Sequence, residues 1–277
     1  MREQQAITPG MVAILGVPFD ANSSFLRGPA LAPARFREAF YYGSMNFCAE
    51  NGTDLNDLQP CWADAGDVEN MDAPSAFASI VSTTGGLLEK GARVLSIGGD
   101  HSVTFPLVQS ASARFPGLTI LHLDAHPDLY DELDGNRFSH ASPFARIMEN
   151  GLAKRLVQVG VRTVNPHQRA QAERFGVEMI RAGEFRDDTD YHLAGPLYVS
   201  IDLDVLDPAF APGVSHQEPG GLSVRDVLRV IQAIPAPIAG ADIVEYNPIR
   251  DLNGMTAMVV VKLLKEILVK MIDHPCA

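Results

Sequence analysis

LTILHLDAHPD, residues 118–128, is the stretch on which the reading of this chain turns. Its first part, 118–124, is a short apolar run with the length and composition of a buried strand. Its second part sets Asp124, His126 and Asp128 at alternate positions. Side chains of an extended chain alternate between faces, so residues two apart point the same way and these three converge where the strand ends. The pattern returns in SIDLDVLDP (200–208), where Asp202 and Asp204 close another apolar run, and His101 of IGGDHS (97–102) closes a third.

Two histidines and four carboxylates brought together need cations. Two like charges ~4 Å apart repel by roughly 4 kcal/mol at an effective dielectric near 20. Two divalent ions balance four carboxylates, and mixed carboxylate and imidazole ligation suits manganese, or iron, cobalt or zinc. No cysteine lies near these segments, which argues against a structural zinc site. One Asp-x-Asp alone would be read as a strand end capping the next helix. Three clusters at three apolar strand ends favour a metal centre, with Asp100 as a loop or supporting residue rather than a ligand.

The 277 residues, 46% hydrophobic and 20% charged, suit a sizeable folded core. The whole chain, 1–277, reads as one domain, because no Gly/Ser-rich or Pro-rich linker divides it. A net charge of −12 makes the chain a poor general binder of nucleic acid or of anionic membrane. Cys48, Cys61 and Cys276 have no short spacing and form no disulfide framework. The opening MREQQAITPGMVAILG lacks a signal-peptide pattern, and no apolar run is long enough to span a bilayer. The expectation is a cytoplasmic protein.

Short β-rich runs alternate with longer helical patterns. Strands are expected near 11–16, 62–66, 93–97, 118–124, 156–161, 177–181, 197–203 and 238–244. Helices are expected near 31–41, 74–90, 103–113, 143–150, 167–175, 223–233 and 254–271. This alternation predicts an α/β fold with a mainly parallel sheet covered on both faces. Ser223 with Asp226 three residues on reads as a helix N-cap, and Lys262, Lys265, Glu266 and Lys270 form a polar stripe on the last helix. Loops 129–142 and 205–222 both leave ligand-bearing strands, the usual position of sites in such sheets.

At GGDHS (98–102), DAHPD (124–128), SHASPF (139–144), SIDLDVLDPAFAPG (200–213), EPGGL (218–222) and DIVEYNP (242–248) the chain resembles the ureohydrolase superfamily of arginases, agmatinases and formiminoglutamases. NSSFLRGPALAP (22–33), GNRFSHASPFARIMENG (135–151) and APGVSHQEPGG (211–221) bring it nearest to plant-type arginases, since typical agmatinases resemble GTPEPGG at the last position. The resemblance implies a three-layer α/β/α fold with an eight-stranded, mainly parallel sheet, and the strand count above agrees with it. It also implies two Mn(2+) bridged by Asp124 and Asp202, with His101 and Asp128 completing one ion's ligands and His126 and Asp204 the other's. A homo-oligomer, trimeric or hexameric, is implied as well.

The chemistry implied is hydrolysis of a small guanidino substrate. A strong nucleophile is required at neutral pH, as is a proton for the leaving amine. His140, twelve residues past Asp128, matches the family's proton-shuttle histidine. Glu245 is the candidate anchor, because a carboxylate accepts two parallel hydrogen bonds from a guanidinium. Asp242 is assigned to packing or support of the ligands. Asn136, Asn165 and His216, with Asn22 and Ser24 behind them, are candidates for reading the rest of the substrate. Asn165, in GVRTVNP, resembles the position where animal arginases carry an acidic amine-binding residue, so its neutrality bears on arginine specificity. Arginine is the leading substrate, with agmatine or another guanidino acid as alternatives. A non-catalytic metal-binding paralogue and a deacetylase-like enzyme are more remote.

Overall fold

The computed structural model describes residues 6–43, 45–72 and 75–276. The first expected residue of the 74–90 helix, and residues 1–5 of the N-terminal stretch, lie outside them. Eight strands form one parallel sheet: β1 (Val12–Val17), β2 (Trp62–Asp67), β3 (Arg93–Gly98), β4 (Thr119–Leu123), β5 (Arg155–Val161), β6 (Glu178–Arg181), β7 (Leu197–Asp202) and β8 (Ile238–Val244). Their order across the sheet is β2-β1-β3-β8-β7-β4-β5-β6. The helices are α1 (Ala32–Phe40), α2 (Ala76–Glu89), α3 (Thr104–Arg114), α4 (Pro143–Glu149), α5 (Pro166–Phe175), α6 (Val224–Ala233) and α7 (Met255–Asp273).

Burial on both faces explains the strand sequences. VAILGV of β1 and IAGADIV of β8 are buried throughout. The edge strands β2 and β6 carry exposed and charged positions. Alternation divides each central strand between two apolar layers. Val12 and Ile14 belong to one layer, with Phe36 and Phe40 of α1, Val227 and Ile231 of α6, and Val260 and Leu264 of α7. Ala13, Leu15 and Val17 belong to the other, with Ile80 of α2, Leu107 of α3 and Phe144 of α4.

Two helix signals acquire partners in the fold. Ser223 and Asp226 form a reciprocal capping box at the start of α6. The polar stripe of α7 is largely covered rather than solvated. Glu266 accepts from Glu50 N at 2.8 Å and pairs with Lys262, while Lys265 Nζ donates to Asn46 O at 2.6 Å. Among the described residues no helix is long and apolar enough to cross a membrane.

The sheet order positions the site. The four central neighbours β3, β8, β7 and β4 end at His101, Glu245, Asp202 and Asp124. Chain segments separated by more than a hundred residues therefore meet at adjacent carboxyl ends, where open parallel sheets bind ligands.

Candidate active site

The turn after β3 allows no side chain at Gly99. A Cβ there would stand 1.8 Å from the carbonyl oxygen of Phe19. This close approach lets Asp100 N donate to Phe19 O at 2.8 Å. The Asp100 carboxylate accepts from Asn22 N at 2.9 Å and Ser102 N at 3.1 Å, which ties loop 20–24 to the turn bearing His101. Asp128 and Glu245 hold left-handed backbone, at φ 52° and 60°. Such conformations cost about 1–2 kcal/mol each in a residue with a Cβ, and they aim both carboxylates into one space.

His101 Nδ1 lies 3.1 Å from Asp124 Oδ2, 3.0 Å from Asp128 Oδ2 and 3.1 Å from Asp202 Oδ2. It nevertheless has no hydrogen-bond partner among the described residues. The other ring nitrogen explains this. Ser200 spends its hydroxyl proton on Asp242 Oδ1 at 2.6 Å, so its oxygen accepts from His101 Nε2 at 3.0 Å. One ring proton is thus placed on Nε2, and Nδ1 is the position among three carboxylates that either a second proton or a metal ion would fill.

An ion bonded at about 2.1 Å to donors at right angles holds them about 3 Å apart, the separation found here. Burial opposes charge on His101, but Asp124, Asp128 and Asp202 outweigh it and raise its proton affinity well above the ordinary value. Positive charge is therefore favoured at Nδ1, and a divalent ion would supply it in place of a proton.

A second group adjoins the first. His126 Nδ1 lies 3.0 Å from Asp204 Oδ2 and 3.4 Å from Asp124 Oδ1. Asp124 thus turns one oxygen to each histidine. Burial, followed by the fields of Asp204 and Asp124, raises the Asp202 carboxyl well above its usual range. Burial and Asp124 push Asp204 up to about 6. Burial is the larger cause of both shifts and the neighbouring carboxylates add to it, a repulsion that divalent cations would relieve. The residues present fit a metal centre.

Beside these groups is a cavity of about 150 Å³, lined in part by His126, Asp128, Asp202, Asp204, His140, His216 and Glu245. His140 Nδ1 is 2.9 Å from Glu245 Oε1, and His140 Nε2 is 2.8 Å from Ser24 Oγ. Burial works against protonation of His140, but the Glu245 carboxylate prevails and raises its pKa to about 9. Glu245 Oε1 also accepts from His101 N at 2.9 Å, whereas Glu245 Oε2 is buried with no partner among the described residues. His216 Nε2 is likewise buried and unpartnered, and burial, reinforced by His140, lowers its pKa.

The specificity candidates separate. Ser24 and His216 line the cavity. Asn165 caps α5 by accepting from Gln168 N at 2.8 Å, and donates to Tyr130 OH at 2.6 Å. Asn136 donates to Asn22 Oδ1 at 3.1 Å and accepts from Phe138 N at 2.9 Å. Neither Asn136 nor Asn165 is among the cavity residues, which include Tyr130, Thr163 and Gln168 instead. His122, absent from the expected site residues, donates from Nε2 to Asp124 Oδ2 at 2.8 Å. The alternation that singled out 124, 126 and 128 extends back to it. No comparable signal in the sequence marks Arg162. Its guanidinium donates to the carbonyls of Asp204 and Glu218, both at 2.6 Å, and clasps loop 205–222 to the ligand strand.

Fold and site define an α/β protein with an eight-stranded parallel sheet and a candidate carboxylate–imidazole metal centre at the carboxyl ends of its strands. The Arginase family model matches residues 11–270, and the chain belongs to that family. It is 47% identical over 275 residues to "Arginase 1, mitochondrial" of Arabidopsis thaliana, covering 93% of this chain and 80% of that one. It is also 47% identical to "Arginase 2, chloroplastic/mitochondrial" of the same plant, covering 94% and 80%. The solved arginase from Medicago truncatula superposes with a TM-score of 0.89 at 42% identity, covering 96% of this chain and 89% of that one.

These relatives overturn the expected cytoplasmic location, since they are named for mitochondria and chloroplasts. The expectation failed because free thiols and the lack of a spanning segment do not distinguish one reducing compartment from another.

Proposed function

We propose that the protein is an arginase, converting L-arginine to L-ornithine and urea at a centre of two Mn(2+). The observation that carries this reading is Glu245, which lines the cavity beside the metal-type ligands and whose Oε2 is buried without a partner among the described residues. Such an acceptor calls for a cationic donor, and a guanidinium is a planar one. The 47% identity to plant arginases supports arginine as the guanidinium's source.

His101, Asp124, Asp128 and Asp202 would hold one ion, and Asp124, His126, Asp202 and Asp204 the other. Divalent ions there lower the pKa of water and so supply a nucleophile at neutral pH. The chain's own groups do the rest. Glu245 seats the guanidinium with its carbon toward the ligands. His140 is protonated below about pH 9, held by Glu245 and Ser24. An arriving guanidinium competes for Glu245 and adds a like charge, both of which weaken His140's hold on its proton. That proton passes to the departing nitrogen as the C–N bond breaks.

Agmatine is the second reading. Asn165 favours it, because its amide is already committed to Tyr130 and to the α5 cap rather than to an incoming α-amine. Urea release from L-arginine, agmatine and 4-guanidinobutyrate at equal concentrations, with Mn(2+) added, separates the readings. We expect the highest kcat/KM with L-arginine. A tenfold advantage for agmatine would overturn the assignment. We further propose one catalytic domain assembled as a trimer or hexamer, to be tested by light scattering.

A further inference from the structure

Beneath the ligands runs a transverse row of polar side chains that the mechanism above does not use. Strand register places Ser96 opposite Asp242, Asp242 opposite Ser200, Ser200 opposite His122 and His122 opposite Gln158, across β3, β8, β7, β4 and β5. All five are buried at 0% exposure, in a sheet whose other central positions are mostly aliphatic. Asp124 and Asp202 stand two residues further along β4 and β7, on the same face.

The hydrogen bonds in this row have one direction each. Gln158 Nε2 donates to Pro127 O at 2.6 Å and to His122 Nδ1 at 2.9 Å. The carbonyl can only accept, which fixes the amide's orientation. His122 Nδ1 is therefore an acceptor, and its proton lies on Nε2, directed at Asp124 Oδ2. Phe144 stacks on the His122 ring with centroids 3.8 Å apart and holds its plane. A parallel chain runs through Asp242 and Ser200 to His101 Nε2.

Both chains end on the same ligand set. Asp124 Oδ2 and His101 Nδ1 are 3.1 Å apart, at the His101-centred position. The His126-centred position uses Asp124 Oδ1, which accepts from His126 N instead. We infer that His122 is a positioning residue for the His101-side ion: Gln158 fixes its tautomer, and it in turn fixes the Asp124 oxygen that faces that ion. Outer hydrogen bonds of this kind govern metal affinity by about 10–100-fold. The inference rests on the metal-centre reading and adds a selective role to it.

Mn(2+) titration of the metal-stripped protein, followed by competition with a chelator, supplies a readout independent of turnover. His122→Phe keeps a flat ring against Phe144 but has no donor. We expect it to bind one ion as tightly as wild type and the other about 10–100-fold more weakly. His122→Gln can return a donor to the Nε2 position and should recover part of that loss. Gln158→Leu, which leaves the ring unaltered and frees its tautomer, should weaken the same ion if His122→Phe fails to fold. Two unchanged affinities in either His122→Phe or Gln158→Leu would overturn the inference. Equal weakening of both ions would overturn its selectivity. Wild-type protein that binds no Mn(2+) would overturn the metal-centre reading itself.

Discussion

His140 and Glu245 lie 105 residues apart in sequence, yet His140 Nδ1 stands 2.9 Å from Glu245 Oε1 inside the cavity. The pair leaves Glu245 Oε2 without a partner among the described residues, so one carboxylate holds the proton donor and still offers an oxygen to a cation. Anchor and donor are thus coupled through a single side chain, and each can be perturbed separately.

Glu245→Gln keeps the shape of the anchor and removes its charge. A charge-assisted hydrogen bond contributes about 1.5–3 kcal/mol, so kcat/KM for L-arginine should fall about 10–100-fold. Metal content should not change. Kinetics within threefold of wild type, alongside intact metal, would exclude Glu245 as the anchor.

His140→Asn should retain both ions and lose about 10²–10⁴-fold in kcat. Its effect on stability depends on pH. The folded-state pKa is raised from 6.5 to about 9, so the protonated form is the one that folding favours. The stabilisation is fully present below pH 6.5 and is lost as pH rises through about 9. Urea denaturation across that window should show a decline in wild type that is missing from His140→Asn. A decline of equal size in both would separate His140 from the effect.

His126→Ala removes the lone pair beside Asp204 and Asp124. The variant should lose one ion and most activity. Metal analysis after dialysis gives the count, and full occupancy with full turnover would contradict the role given to His126.

Gly99→Ala puts a methyl group 1.8 Å from the Phe19 carbonyl oxygen, which belongs to backbone and cannot rotate away. Overpacking of this kind costs about 1–3 kcal/mol or more, and the strained turn carries His101. Lower unfolding midpoints in urea and weaker Mn(2+) binding should appear together. Wild-type stability would show that the turn can relax.

Much of this molecule could be read locally. The strands expected at 118–124 and 197–203 appear as Thr119–Leu123 and Leu197–Asp202, and the helix expected at 254–271 as Met255–Asp273. Asp124, His126, Asp128, Asp202, Asp204 and His101 stood out because charged and imidazole groups closing apolar runs need a reason. His122 escaped because it lies inside its apolar run, where a polar residue looks like an interruption until its partners are known. Asn136 and Asn165 were natural candidates as loop amides, but their hydrogen bonds go to Asn22, Phe138, Tyr130 and a helix cap.

From the chain alone follow the alternation of strands and helices, the strands buried on both faces, and the residue types able to hold divalent cations. These are consequences of covalent geometry, since side-chain period and hydrophobic pattern are properties of neighbours in sequence. The order β2-β1-β3-β8-β7-β4-β5-β6, the transverse row from Ser96 to Gln158 and the meeting of His140 with Glu245 were decided only in three dimensions. Pairing and register are set by which distant apolar faces bury against one another, and no local period encodes that choice.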